Sequence, residues 1–403
     1  MKLESIPEEF IRAEVVLKEI QAHGFEAYFV GGSVRDALLE KPIHDVDIAT
    51  SAYPEEIKKI FSRTIDVGIE HGTVLILIGD EQYEVTTFRT ESTYQDFRRP
   101  DEVTFVRSLK EDLKRRDFTI NALAMTCDGE VIDLFDGMND LKMNVICAVG
   151  NAKERFHEDA LRMMRGLRFA SQLDFTIEEK TLTAIQDFHS LLGKISVERI
   201  AIEFSKLLLG KNRKAGLLPF VETECYLYCP GLQTYGTALL RLADLPDRQI
   251  EHESEAWALL VYILEIEGDS VRSFLKKWKL SNQLIQTVQK LVVGLQHRLN
   301  NQWQAEVMFQ LGLDVALSVE KLLFYFGGNS KLEDVQKQYA ALPIHDKSEL
   351  AVSGNDLLRS IQKKPGRWLG DLIEELLAAV INGQVSNEKE ALLDMAHEKI
   401  NKE

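Results

Sequence analysis

Asp45 and Asp47, two positions apart in the run HDVDIAT, are the residues of this chain best placed to do chemistry. In an extended strand residues two apart point to the same side, so the pattern presents two carboxylates together. Like charges held that close are unfavourable unless a cation sits between them, and hard oxygen ligands suit Mg²⁺. Just upstream, the apolar run Tyr28, Phe29, Val30 breaks into Gly31-Gly32-Ser33 and continues as a short amphipathic helix carrying Arg35 and Asp36. Those glycines leave backbone N–H groups bare near a helix start, where a phosphate can be held. A lone D-x-D is usually a solvated strand edge, and a Gly-Gly is usually a turn. Together they outline phosphoryl or nucleotidyl transfer. A third acidic group is expected from a neighbouring strand, and Glu84 in YEVTTF is the candidate.

Two further runs carry charge in informative places. Lys114-Arg115-Arg116 leads into DFTINAL, which reads as an apolar helix. Three adjacent cations call for anions nearby, and arginine binds a triphosphate in a bidentate fork. Asp117 can brace that turn, and Asn121 can hydrogen-bond a backbone or a sugar. The second run is a helix expected over Glu158–Ala170, with Ala160, Met163, Met164, Leu167 and Ala170 as its apolar stripe. Arg162, Arg165 and Arg168 fall on the opposite side, with Asp159 at the margin. A charged stripe is ordinarily a solvated face, but such faces are ordinarily filled by Lys and Glu. An acceptor one turn from a donor matches the amino group and ring nitrogen that cytosine and adenine present side by side. Uracil and guanine present the reverse pattern and would leave both protein groups unpaired. Such a site chooses CTP and ATP without a template.

The elements that must position these residues fall into two kinds. Residues 1–150 read as a small α/β domain: a helix over Glu8–Gln21, a strand at Tyr28–Val30, and a carboxylate strand at His44–Ile48. A helix from Pro54 follows, then strands over Gly72–Ile78 and Tyr83–Phe88, and further strands near Thr104–Val106 and Glu130–Phe135. Residues 89–102 are polar and pattern-free, hence a mobile loop. From about residue 151 almost every window is helical, including Glu154–Ser171, Ile177–His189, Val197–Leu209, Glu255–Leu264 and Gln283–Leu299. The fold class expected is therefore α+β, a small mixed sheet followed by an elongated all-helical part.

Composition excludes several classes. The 403 residues are 45% hydrophobic and 28% charged, ordinary for a globular protein. There is no apolar run long enough to span a bilayer and no signal-peptide core at the start. Four cysteines do not make a disulfide framework, so the expected location is the cytoplasm. Cys225 and Cys229 lack the partners of a zinc site and read as core residues. No P-loop or dinucleotide fingerprint occurs. A formal net charge of −16 rules out a protein coated in basic surface. Contact with nucleic acid must rest on local clusters such as Arg98-Arg99, Lys114-Arg115-Arg116, Lys276-Lys277-Trp278-Lys279 and Lys363-Lys364 with Arg367-Trp368.

The order GGSVRDALL, HDVDIAT, RRDFTINALA, DLFDGMNDL, EDALRMMRGLRFA and SVERIAIEFSKLL resembles that of the bacterial class II CCA-adding enzymes, within the DNA polymerase beta nucleotidyltransferase superfamily. These motifs span roughly the first half of the chain; the second half is similar in helical character only. The resemblance implies template-independent addition of C, C and A to the 3′ end of tRNA from CTP and ATP. It implies a head over 1–150, a neck over 151–210, a body over 211–300 and a tail over 301–403 that binds tRNA. Asp45 and Asp47 would bind Mg²⁺, with Glu84 completing the acidic set. Gly32 and Arg35 would contact the nucleotide and Arg116 its phosphates. Asp159 and Arg162 would read the base edge, supported by Arg165 and Arg168. Relatives of the same chemistry include poly(A) polymerases and enzymes adding only CC or only A; the loop at 89–102, which CC-only relatives lack, is intact. A silent RNA-binding protein on the same fold is the alternative from another class, disfavoured by the presence of both aspartates. His345-Asp346 has no histidine partners for a phosphohydrolase site. A homodimer is compatible with the sequence, which leaves the oligomeric state open.

Overall fold

The computed structural model describes residues 1–68, 71–91, 94–95, 99–100, 103–246 and 248–401. The chain divides into two compact units, Met1–Ile250 with Lys277–Lys279, and the remainder from Glu251 onward.

The first unit is built on a mixed sheet. Its strands are β1 (Ala27–Val30), β2 (Asp47–Thr50), β3 (Thr64–Gly68), β4 (Thr73–Ile78), β5 (Glu81–Thr87), β10 (Leu123–Met125) and β11 (Val131–Asp133), in the order β11-β10-β1-β2-β5-β4-β3. Only β2 and β5 run parallel, with Asp47 opposite Glu84. Alternation along the strands supplies two cores. Ala27, Phe29, Ile48, Val85, Leu123 and Met125 face one, and Val30, Ala49 and Ala124 the other. Helix α1 (Glu8–Ala22) closes the first core with Phe10, Ala13, Val16, Leu17 and Ile20, one apolar stripe. The Phe10 and Phe29 rings lie 4.7 Å apart. The helix stops before Gly24, whose φ of +83° suits a glycine.

Several expectations change here. The carboxylate strand begins at Asp47 rather than His44, so Asp45 lies on the irregular segment before it. The cause is its neighbour: β1 pairs with β2 only as far as Val30 opposite Asp47, because the chain turns at Gly31 into α2 (Gly32–Leu38). The run DFTINAL is not a helix. After α3 (Pro54–Ile60) and α4 (Leu109–Lys114), a 3₁₀ turn at Thr119–Asn121 leads into β10, between β11 and β1. The Asp117 carboxylate accepts the next backbone N–H, of Phe118, at 2.8 Å, which competes with helix formation. Within 89–102, β6 (Arg89–Glu91) pairs with β9 (Val103–Phe105) and β7 (Tyr94–Gln95) with β8 (Arg99–Pro100). The resumed strand near Thr104 thus joins a separate ribbon, not the main sheet. Arg98, with residues 92–93, 96–97 and 101–102 of that segment, lies outside the described residues.

The run after β11 is structural. Asp133 accepts N–H groups from Phe135, Gly137 and Met138 at 2.9–3.2 Å and so starts α5 (Gly137–Met143). Strand signals do not end there, since Val145–Ile146 and Thr176–Ile177 form a short parallel pair. The expected helix over Glu154–Ser171 is two helices, α6 (Ala152–Glu158) and α7 (Leu161–Leu173), broken at an extended Asp159 (φ −138°, ψ 104°). The Asp159 Oδ1 accepts the Leu161 N–H at 3.0 Å, the behaviour of a residue that starts helices better than it continues them. α8 (Glu179–Phe188) and α9 (Val197–Leu208) follow close to their expected bounds, and α10 (Arg213–Glu222) comes after them. Cys225 and Cys229 are fully buried, as expected of core residues.

Among the described residues, the secondary structure elements of the second unit are all helices. Gly294 permits the close packing of Asn282–Asn300 on Leu313–Leu322, since a Cβ there would lie 2.8 Å from Val319 and 2.9 Å from Leu311. Fully buried Glu320 is satisfied by Arg298 at 2.6 Å, the Trp303 indole at 2.7 Å and the Lys331 N–H at 2.7 Å.

Gly137 offers a direct check on the first unit, because a Cβ there would sit 2.3 Å from the Thr119 carbonyl oxygen. Gly137→Ala should destabilise the fold by about 1–3 kcal/mol, seen as a fall of several degrees in thermal unfolding; an unchanged midpoint would show the contact to be absent.

Candidate active site

The Gly31 turn brings the first pieces together. Its φ of +74° and ψ of −134° are open to glycine and strained for other residues. A Cβ on Gly31 would also meet Arg116 Nη1 at 2.9 Å and Asp47 Oδ2 at 3.7 Å. The turn therefore ends β1, starts α2 and lets a guanidinium and a carboxylate approach the same backbone.

Around that point lies a cavity of about 840 Å³. Eight arginines line it against four aspartates, in a chain whose formal net charge is −16. The local field is thus opposite in sign to the global one, which suits a polyanion such as a triphosphate.

Four of these guanidiniums, those of Arg115, Arg116, Arg165 and Arg168, are held by buried carboxylates. Asp112, on α4, is 1% exposed and binds Arg115 at 2.8 Å and Arg116 at 3.2 Å, and it accepts the Arg89 N–H at 3.3 Å. Burial alone would raise its carboxyl, but Arg115 and Arg116 hold it below the usual range. Asp117 binds Arg165 at 2.6 Å. Burial again opposes ionisation there, and Arg165 and Arg162 overcome it, bringing the carboxyl down to about 2. Arg168 is the reverse case. Burial lowers it to about 10, with Glu203 at 3.1 Å working against that. Arg168, Arg35 and Arg165 also lie 4.2, 5.3 and 5.4 Å from the centre of the Phe169 ring, whose face attracts cations.

The expected base-reading pair is present but arranged differently. Asp159 and Arg162 are not a pair on one helix: the break at Asp159 separates them. Arg199, from α9, holds Asp159 at 2.6 Å, while Glu158 holds Arg162 at 2.6 Å and the Arg115 carbonyl accepts from it at 2.8 Å. Arg162 and Arg168 are each 8% exposed, so the arginine side of α7 is a buried wall rather than a solvated face. One cavity collects Gly32, Arg35, Asp47, Arg116, Asp159, Arg162, Arg165 and Arg168.

Asp45 and Glu84 do not line it. With Asp47 they border an adjoining cavity of about 420 Å³, so Asp47 is common to both. Burial raises the Asp47 carboxyl, Arg116 opposes this, and Glu84 and Asp45 add to it. Among the described residues no three His, Cys, Asp or Glu side chains converge as a metal-holding group. Sequence reasoning missed Asp112, Phe169, Arg199 and Glu203. The last two stand four apart in SVERIAIEF, a cation and an anion one helical turn apart.

The depressed Asp117 carboxyl has a consequence for stability. Its contribution is present above the ordinary value of 3.8 and is lost as pH falls towards 2. That loss is roughly 2 kcal/mol. Asp117→Asn should be less stable at pH 5 and show a flatter unfolding curve than wild type between pH 4 and pH 2; parallel curves would contradict the assignment.

Three family profiles match in succession: "Poly A polymerase head domain" over residues 27–147, "Probable RNA and SrmB- binding site of polymerase A" over 174–234, and "tRNA nucleotidyltransferase domain 2 putative" over 248–396. The chain is 66% identical to a CCA-adding enzyme of Enterococcus faecalis, with 98% of each chain covered. It is 51% identical to one from Lactiplantibacillus plantarum, again with 98% of each covered. The crystal structure of the Bacillus stearothermophilus CCA-adding enzyme in complex with CTP superposes with a TM-score of 0.92 at 41% identity, covering 98% of this chain and 99% of that one. With relatives this similar along its whole described length, the chain belongs to the CCA-adding enzymes, a family of tRNA nucleotidyltransferases.

Proposed function

We propose that this chain adds C, C and A to the 3′ end of tRNA, taking CTP and ATP and releasing pyrophosphate. The observation that carries the reading is the single cavity onto which Asp47, Arg116, Asp159 and Arg162 all open. The CTP complex of the Bacillus stearothermophilus relative supports it.

Mg²⁺ fits the acidic side, because the mutual repulsion that helps raise the Asp47 carboxyl is what a divalent cation relieves. Asp45 and Asp47 would hold it, with Glu84 in register beside Asp47 completing the acidic set. When bound, the ion supplies charge against the triphosphate and makes the terminal hydroxyl of tRNA more acidic. Arg116 and the backbone at Gly32 hold the phosphates, and Arg35 steadies the nucleotide. The tRNA hydroxyl oxygen bonds to the α-phosphorus and gives up its proton to the acidic side of the site. The bond from the α-phosphorus to the β-phosphate oxygen breaks, and pyrophosphate departs with that electron pair.

The base is chosen by hydrogen bonding. Asp159 already accepts from Leu161 and Arg199, which fixes its plane, and a carboxylate retains acceptor capacity beyond those bonds. It takes the amino group of cytosine or adenine while Arg162 donates to the adjacent ring nitrogen. A uracil or guanine would leave both unpaired.

On this reading residues 1–150 are the head, 151–210 the neck, 211–300 the body and 301–403 the tail that holds tRNA. Exposed Lys363, Lys364 and Arg367, with Lys363 over the Trp368 ring at 5.3 Å, support RNA contact there. The enzyme works in the cytoplasm, consistent with four free cysteines and with no described helix long and apolar enough to cross a membrane.

Two measurements test this. With tRNA lacking its 3′ end, wild type should give a ladder stopping at three added nucleotides, and Asp47→Asn should lose both C and A addition at least about a hundredfold. Open-ended A tailing would indicate a poly(A) polymerase, and equal incorporation by Asp47→Asn would indicate a silent fold. Exchanging the base-reading charges, Asp159→Arg with Arg162→Asp, should weaken CTP and ATP use and favour UTP or GTP; an unaltered preference would exclude direct readout.

A further inference from the structure

The row of side chains that crosses the sheet through the carboxylates runs on past them. Register sets Ala124, Val30, Asp47, Glu84, Leu75 and Ile65 side by side on β10, β1, β2, β5, β4 and β3. Residues paired directly across strands point to the same face, so all six share one. The first half of that face is covered, since Val30 and Ala124 belong to the buried core with Phe88, Leu109 and Leu113. The second half is open. Asp47 and Glu84 are exposed, Leu75 is half-buried, and Ile65 and Val67 are 48% and 51% exposed. An apolar strip therefore follows the acidic edge.

The geometry of the reaction gives that strip an occupant. Nucleotidyl transfer runs in line, with the attacking hydroxyl and the departing pyrophosphate on opposite sides of the α-phosphorus. Arg116, which would hold the departing phosphates, meets Asp47 at the Gly31 turn, on the β1 side of the row. The hydroxyl then arrives from the β5 side, over Glu84, and the rest of its nucleoside extends towards β4 and β3. The cavity of about 420 Å³ on that side includes Glu84 and Leu75 and shares Asp47 with the larger one. Glu9 and Glu81 in its walls can accept from ribose hydroxyls, and Arg12, 3.7 Å from Glu81, offers a cation to the linking phosphate. Strand spacing puts Ile65 about 10 Å beyond Glu84, within reach of the last two nucleosides.

The residue types suit that occupant. Over three additions the nucleotide at this place changes, from the last base of the unextended tRNA to one cytosine and then another. Hydrogen-bonding side chains would favour one base and reject the rest. Leucine, isoleucine and valine offer contact without a donor or acceptor, so they serve each stage equally. We propose that Leu75, Ile65 and Val67 seat the last nucleosides of the tRNA acceptor end and so hold its terminal hydroxyl over Glu84. The inference rests on the proposed function, in that it takes tRNA to be the acceptor, and it concerns the tRNA rather than the nucleoside triphosphate.

The test is steady-state nucleotide addition by the full chain to tRNA ending at each of the three stages, with CTP binding measured alongside by calorimetry. Ile65→Gln combined with Val67→Gln removes the apolar strip without adding charge, at exposed positions where folding is little disturbed. It should raise KM for tRNA about tenfold and leave the CTP dissociation constant within about twofold of wild type. Leu75→Ala should act in the same direction. The rise should agree within about twofold across the three stages, because aliphatic contact does not read the base. An unchanged KM for tRNA in both variants would overturn the proposal, as would a rise confined to one stage or an equal loss of CTP binding. Failure of wild type itself to extend tRNA would instead remove the functional reading, and this inference with it.

Discussion

A cavity lined by eight guanidiniums is self-repelling, and the rest of the site is arranged around that constraint. Unpaired buried charge would cost several kcal/mol, so each cation must be held by a partner that also fixes its direction. Asp112, Asp117, Glu158, Glu203 and the Asn121 amide do this, and each also decides which way a fork of donors points. The residual positive field is what remains for a ligand. Electrostatic preorganisation of this kind is favourable for catalysis because the donors need not reorganise when a polyanion arrives.

Helix α7 explains how one element can serve both the core and the site. Met163, Met164, Leu167 and Ala170 are fully buried on its apolar side. Arg162 and Arg168 are buried too and Arg165 partly so, though against the cavity and with partners from α6, α9 and the Arg115–Asp117 segment. A helix buried on all sides needs its polar residues paired, and here the pairing is the site itself. Gly166 lets the Phe118 ring approach to 3.0 Å of where a Cβ would be, which draws the Asp117 turn against the same helix. The pairing of Asp117 with Arg165 is thus set by backbone packing as well as by charge.

Much of this was legible in the sequence. Apolar periodicity located α1, β4, β5, α8 and α9 to within a few residues, and the chemistry-bearing runs named eight residues that the fold gathers into one cavity. The failures have physical causes. Asp45 was placed on a strand because alternation continues through His44–Ile48, whereas pairing stops where β1 turns away at Gly31. Strand β3 was missed because its apolar residues, Ile65 and Val67, face outward at 48% and 51% exposure and leave no inward signature. The turn at Thr119–Asn121 was read as helix and β10 after it was not named, because three residues carry no period of their own. The ion pairs were out of reach, since Asp117 finds Arg165 48 residues away, Asp159 finds Arg199 40 away and Asn121 finds Arg35 86 away. Such partners are chosen by tertiary packing, and the break at Asp159 that exchanges one arginine partner for another is visible only once α9 is in place.

Template-free choice of a base demands that the protein edge be as rigid as a paired base would be. The bonds that hold Asp159 and Arg162 from behind supply that rigidity, and the Asp47 side must lie close enough to act on the same molecule. A crystal structure of the chain with CTP and Mg²⁺ measures this directly. The expected result is a cytosine amino group within hydrogen-bonding distance of the Asp159 carboxylate, its ring nitrogen facing Arg162, and the α-phosphate of the same nucleotide beside Asp47. A cytosine held elsewhere, or a triphosphate pointing away from Asp47, would contradict it.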